Sequence, residues 1–484
     1  MTAYIIAIGG TGAKLVESMI HAAAVGLFSH NERSEDLQIL LIDPDTGNGN
    51  ASATNNTRKI YQDCHQHFNV HPSRPWMSSK IDPIQGGAWS VFERTDATLE
   101  DAFPYSQDED EKKLLFDVLY PKEERDLHLT KGFKGRPAIG AAIISQLTQQ
   151  GREDANWDAL IQQINADSQG GNSPKVFLCG SIFGGTGAAG LPTLGRLLAN
   201  KLGPDGENLL GKIKFGCLLL LPYFQFHPTQ DYKNEKVLAR SQDFILQTEA
   251  ALRYYANQTE LKFDSVYMLG LPRFSSVEKF SPGGNDQRNP PHFLEFYGAL
   301  ALRDFLVTDK PAARQVMLLS RENPEALTWS DIPEFNLVRS RVVAATRFAF
   351  AWLAAIAPDL EHARDKPKQV AWSLKFFRPR ELRDEQDHIK AISDWCTNYL
   401  QWLGAIGRSE PSIKWFNWEV FLDKNGSLKE MERNDFSNLV PDDKTKEIND
   451  ILSKLNPRDI DSPNNRGAIG LAKSLYKIII DRDL

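Results

Sequence analysis

Tyr4-Ile5-Ile6-Ala7-Ile8-Gly9-Gly10-Thr11-Gly12-Ala13-Lys14 decides the fold, together with a second stretch of the same grammar, Val176-Phe177-Leu178-Cys179-Gly180-Ser181-Ile182-Phe183-Gly184-Gly185-Thr186-Gly187. In each, a short apolar run with strand character ends in a glycine loop and passes into a sequence with helical spacing. A loop of this kind can turn several backbone N–H groups toward one anion, which also feels the positive end of the helix dipole. Glycine serves there because a side chain would hold the backbone away from phosphate oxygens. Two such loops in one chain point to a site for a phosphorylated ligand.

Working outward, the first loop continues into a predicted helix over 13–24 and a strand over 37–42 that ends in Asp43-Pro44-Asp45, a βαβ unit. Around the second loop, helices over 138–149 and 157–166 precede the strand, and helix 190–202, strand 215–221, helix 235–256, strand 265–269 and helix 292–305 follow it. Strands alternating with helices predict an α/β fold, a doubly wound and mainly parallel sheet with ligands at the carboxyl ends of its strands. Residues 50–130 are polar, carry the acidic run Asp108-Glu109-Asp110-Glu111, and are expected to form an insertion at the sheet edge. Beyond 307 the pattern changes. Helices are expected over 336–357, 385–406 and 468–480 and strands over 369–377 and 413–422, which divides the chain into a nucleotide-binding domain at 1–306 and a helix-rich C-terminal domain at 307–484.

Composition narrows the function classes. With 484 residues, 41% hydrophobic and 25% charged, the chain is long enough for a large core in two or three domains. A net charge of −7 with mixed signs gives no basic stripe for nucleic acid. The four cysteines, Cys64, Cys179, Cys217 and Cys396, are too few for a disulfide framework and suit a reducing, cytoplasmic setting. The most apolar helical stretch, 342–358, contains Arg347 and falls short of the ~20 residues a spanning helix needs, so it is expected in the core and no membrane span is expected.

The order of these parts resembles the tubulin/FtsZ superfamily of GTPases over residues 1–306. The segment 177–189 is similar to the superfamily's signature loop, with Phe183 where the signature has its first glycine, and 8–14 is similar to its first nucleotide loop. Gly135-Arg136-Pro137-Ala138-Ile139-Gly140 falls where the superfamily senses the terminal phosphate, and 215–224 resembles the strand and turn leading to the ribose. The resemblance implies GTP or GDP with Mg2+ as cofactors. It implies phosphate contacts from Gly9, Gly10, Thr11, Gly12, Ala13, Gly184, Gly185, Thr186 and Gly187, with Lys14 adding positive charge and Gly135 and Arg136 near the terminal phosphate. Glu17 would read the base, and Tyr297 would stack on it. Ala301 stands where the superfamily has a base-reading Asn, and Phe224-Gln225-Phe226-His227 replaces its acidic ribose contact, which leaves GTP against ATP open. Asp331 and Glu334 are the candidates for the acids that complete a neighbouring subunit's site, which implies a homo-oligomer or filament of cytoskeletal type.

Other readings of the same residues compete. Asp43 and Asp45 suit magnesium or ribose, and equally suit strand-end caps. A dinucleotide motif, G-x-G-x-x-G with an acid ~20 residues on, finds Leu15 where its third glycine belongs. An oxidoreductase therefore ranks third. A nucleotide-binding adaptor that engages a protein partner through the insertion or the C-terminal domain ranks second. Cys64, His65, His67 and His71 fit no common zinc spacing and are expected in a surface loop. The aromatic set Trp352, Trp372, Phe376, Phe377, Trp395, Trp402, Trp415 and Trp418 is expected to pack the core and the interface between domains.

Overall fold

The computed structural model describes residues 2–31, 33–45, 47–68, 75–90, 98–103, 110–149, 155–202, 212–226, 240–257, 263–277, 283–308, 317–318, 325–365, 369–378, 381–441, 443, 447–460 and 465–481. Asp108, Glu109, His71, His227 and the first residues of the helix expected from 235 lie outside them. Six parallel strands form the sheet: β1 Thr2–Ile8, β2 Asp36–Ile42, β3 Ile81–Trp89, β4 Lys175–Ser181, β5 Lys214–Leu220 and β6 Ser265–Leu269. Their order is β3-β2-β1-β4-β5-β6. From β1 the chain crosses to β2 on one side, and from β4 to β5 on the other. The loops after β1 and β4 therefore part at neighbouring strand ends and leave a crevice between them.

The sheet is apolar on both faces, as parallel sheets require. Along β1, Ala3, Ile5 and Ala7 join one apolar cluster while Tyr4, Ile6 and Ile8 join the other. On the first face lie α1 (Gly9–Ala24), α2 (Gly49–His65) and the helix α7 (Phe293–Val307). On the second lie α3 (Pro137–Gln149), α4 (Ala155–Gln169) and α5 (Gly185–Leu202), contributing Ile144, Leu160 and Leu194. A further helix, α6 (Phe244–Ala256), precedes β6.

Beyond 307 the longest helices of the described chain are α8 (Phe335–Ala351), α9 (Gln386–Ser409) and α10 (Gly467–Ile480). After a π turn at Trp352–Ile356, α8 runs on to Asp365. This is the one helix, among the described residues, long and apolar enough to cross a membrane, and its most apolar stretch is 78% buried. Val343, Trp395 and Leu475 share one apolar cluster with Ala3 and Leu15, so the C-terminal helices pack on the same core as the sheet.

Three local expectations need correction. Residues 369–377 form a short helix, Ser373–Phe376, and 413–422 form turns with isolated bridges at Ile413 and Leu422 rather than strands. Aromatic density mimics strand propensity there, but the rings bury against helices. Residues 50–130 do supply the edge strand β3, yet they open with α2, whose Thr54 hydroxyl donates to the Ala13 carbonyl of α1 at 2.7 Å. Cys64 and His65 lie within that helix, and Cys64 is fully buried, so this segment is not a surface loop. No group of three His, Cys, Asp or Glu suited to a metal occurs among the described residues.

Candidate functional site

The two glycine loops meet. A Cβ on Gly9 would lie 3.3 Å from Thr186 Cβ and 3.4 Å from Gly187 N, and Gly9 has φ +77°, a conformation that favours glycine. Gly9, Gly10 and Thr11 line one wall of a cleft, and Gly184, Gly185, Thr186 and Gly187 line the next. Helix α1 starts at Gly9 with Ile8 as its cap residue, whose side chain makes no capping hydrogen bond. Neither α1 nor α5 carries an acidic residue in its first turn. Two helix N-termini thus bring partial positive charge to one crevice, an arrangement that attracts an oxyanion.

Some of the glycines pack rather than contact a ligand. A Cβ on Gly12 would sit 2.9 Å from the Ala7 carbonyl carbon and 3.0 Å from Cys179 O, so Gly12 allows α1 to approach β1 and β4. On Gly187 it would collide with the Ser181 carbonyl, whereas on Gly184 it would meet only Ser181 Oγ, at 3.1 Å. Ala13 lies behind the loop, its carbonyl held by Thr54.

Gly135 reaches the cleft from the segment before α3, and its carbonyl accepts from Gln247 Nε2 at 2.8 Å. Its N lies 3.1 Å from the place a Gly185 Cβ would take. Arg136 is not among the residues lining the cleft, and its guanidinium pairs with Glu124 at 3.1 Å. Asp43 and Asp45 line the side below β2. Asp43 accepts from Asp45 N at 3.0 Å, and burial pushes its carboxyl up to about 7. Asp45 accepts from Gly47 N at 3.1 Å and from Gly284 N at 2.6 Å, so it ties the segment before α7 to the cleft.

Lys14, Glu17 and Tyr297 lie elsewhere. The Lys14 ammonium is 2.5 Å from Glu295 Oε1, with side chains 4% and 0% exposed. Glu295 also accepts from the Tyr223 hydroxyl at 2.7 Å and from His292 N at 3.0 Å, so the lysine belongs to a satisfied buried network rather than to the glycine nest. Glu17 accepts from the Thr57 hydroxyl at 3.2 Å between α1 and α2. Burial, and then the Glu295 charge, raise its pKa to about 7. Tyr297 donates to the Asp331 carbonyl at 2.9 Å. Asp331 caps its own turn, accepting from Thr328 N at 2.7 Å. Glu334 forms a two-pronged pair with Arg303, at 3.0 and 2.8 Å.

The cleft also has walls that sequence reasoning did not assign. Asn48, Asn50, Gln287 and Asn289 form an amide-rich side. Asn48 caps α2, accepting from Asn50 N at 2.8 Å, and its Nδ2 donates to Gln287 Oε1 at 3.0 Å. Asn50 Oδ1 accepts from Asn289 N at 2.9 Å. An Asn-Gly-Asn start after Asp43-Pro44-Asp45 is a helix-cap signal that could have been read. Phe133 and Lys134, beside the predicted Gly135, line the cleft too, as do Phe183, Phe224, Phe226, Phe244 and Val277.

No family model matches the chain, and no curated protein matches it. Among solved structures it is similar to CetZ2 from Haloferax volcanii in a GTPγS-bound protofilament, at 14% identity and TM-score 0.29 over 63% of this chain and 58% of that one. It is also similar to CetZ from Methanosaeta thermophila strain DSM 6194, at 13% identity and TM-score 0.28 over 62% of this chain and 53% of that one. The match thus spans little more than half of either relative.

Proposed function

We propose that the chain is a tubulin/FtsZ-like nucleotide-binding protein, doubly wound in its first 306 residues, which takes GTP or a related nucleoside triphosphate with Mg2+ and associates with itself according to nucleotide state. The observation that carries this reading is the meeting of two glycine loops, each opening a helix, at one cleft beside neighbouring strand ends. Asp43 and Asp45 on the facing side suit Mg2+, which is ordinarily held by one or two carboxylates together with phosphate oxygens and water. The test is to denature the purified protein, identify any released nucleotide by chromatography, and titrate the emptied protein with GTP and Mg2+. Gly184→Asp adds a charge to the nest at a position where a Cβ presses only on the Ser181 hydroxyl, and should abolish binding while the protein stays folded. Unchanged affinity in that variant would refute the site.

Hydrolysis at a subunit contact is a separate proposal with its own test. If Asp331 or Glu334 completed a neighbour's site, turnover per molecule would climb with protein concentration. The engagement of both acids within their own chain favours the second reading, a nucleotide-binding adaptor that does not polymerise and that meets a protein partner through 50–130 or the C-terminal helices. Constant specific activity and a monomer in light scattering with GTP present would decide for the adaptor.

A further inference from the structure

The cleft has an aromatic wall for which the phosphate nest has no use. Phe183 follows β4, Phe224 and Phe226 follow β5, and Phe244 opens α6. Ring centroids are 4.8 Å apart for Phe183–Phe244, 5.5 Å for Phe183–Phe224 and 5.7 Å for Phe226–Phe244. Phe183 and Phe244 are buried, whereas Phe224 and Phe226 are half-buried, and all four line the cleft. Their backbone is fixed: Phe224 pairs with Ser275, and the Ser241 hydroxyl donates to Phe226 O at 2.8 Å. These four side chains bear no hydrogen-bonding group.

The opposite direction, toward Glu17 and Tyr297, is closed by protein. Lys14 and Glu295 pair within the core there, and Tyr297 spends its hydroxyl on Asp331. The segment 283–289 is tied to the start of α2 through Asp45, Asn48 and Asn50. Neither Glu17 nor Tyr297 reaches the cleft.

We infer that the base of a nucleotide held by the glycine nest lies against Phe224 and Phe226, retained by stacking rather than by reading of its hydrogen-bonding edge. The site therefore tolerates different bases. This inference rests on the phosphate-binding reading. A flat π-face is common to every base, and an aromatic wall attracts it without regard to its donors and acceptors.

The experiment titrates the full chain with GTP, ATP, UTP and inorganic tripolyphosphate, each with Mg2+, by calorimetry. GTP and ATP should bind within about threefold of each other, and tripolyphosphate about ten- to a hundredfold more weakly, the range stacking on aromatic side chains supplies. Phe226→Ala should lower GTP and ATP to the tripolyphosphate level while tripolyphosphate itself binds as before, which also reports an intact fold. Phe226→Trp should retain nucleotide affinity. Preference for GTP over ATP by more than tenfold would overturn the inference, as would equal affinity of the wild type for GTP and tripolyphosphate; in both cases the phosphate site stands. Failure of all four to bind would overturn the phosphate reading as well.

Discussion

Gly184 and Gly187 sit three residues apart in one loop and have different physical duties. Gly187 is a glycine because the Ser181 carbonyl oxygen occupies the space of a side chain, while at Gly184 a Cβ would meet only the Ser181 hydroxyl, which can turn away. Gly187→Ala should therefore lower the unfolding midpoint in urea before any question of ligand arises, and Gly184→Ala should not. Lys14 teaches the same lesson with charge. Near a glycine loop a lysine reads as a phosphate contact, but α1 turns this one toward α7, where Glu295 waits in full burial. Lys14→Met leaves a buried carboxylate without its cation and should cost roughly 3–5 kcal/mol in chemical unfolding. Lys14→Met combined with Glu295→Gln removes both charges and should recover much of that loss. If Lys14→Met instead left stability intact and weakened nucleotide binding, the lysine would be a ligand contact after all.

At the scale of elements, what could be read from the sequence was what local patterning determines. The strands at 4–8 and 176–179, the glycine loops and the helices near 336–357, 385–406 and 468–480 all follow from period and breaker residues; the observed ends differ by up to three residues, except that the first of these helices runs on to Asp365. The site was legible where backbone makes it, at Gly9–Thr11 and Gly184–Gly187, because a glycine run after a strand has few other uses. It was not legible where side chains make it. Which way Glu17 or Tyr297 faces depends on how α2 and the turn at 329–331 pack, and that information is non-local. The strand-like runs at 369–377 and 413–422 failed for a related reason, since Trp and Phe signal burial without saying against what. Glu334 bears on function at this same scale. It opens α8 in the left-handed conformation, φ +52°, with its carboxylate on Arg303, which is 3% exposed and also donates to the Leu27 carbonyl. Glu334→Gln should cost about 1.5–3 kcal/mol of stability, the loss of a charge-assisted pair, and leave any turnover per molecule unchanged. A collapse of turnover with normal stability would place this acid in a neighbour's site.

For the molecule as a whole, two carboxyls with raised pKa values couple stability to pH and to ligand. Glu17 and Asp43 are each pushed up to about 7, chiefly by burial, from ordinary values near 4. The folded state then holds both protons in a range where the unfolded chain has already released them. Their stabilising effect is complete below the unfolded values, diminishes as pH rises above them, and is lost once pH passes about 7. Between pH 5 and 7 the unfolding free energy of the ligand-free protein should fall with a slope of up to about 1.4 kcal/mol per pH unit for each group. Glu17→Gln should remove one share of that slope, and Asp43→Asn the other. Ligand separates the two, because Asp43 lines the cleft and Glu17 does not. A Mg2+ ion at Asp43, as proposed, would favour its ionised form, so nucleotide with Mg2+ should bind more tightly as pH rises from 6 to 8 and release a proton that calorimetry in buffers of different ionisation enthalpy will count. Asp43→Asn should abolish that proton release, and Glu17→Gln should preserve it. A pH-independent affinity in the wild type would show that Asp43 is not a metal ligand.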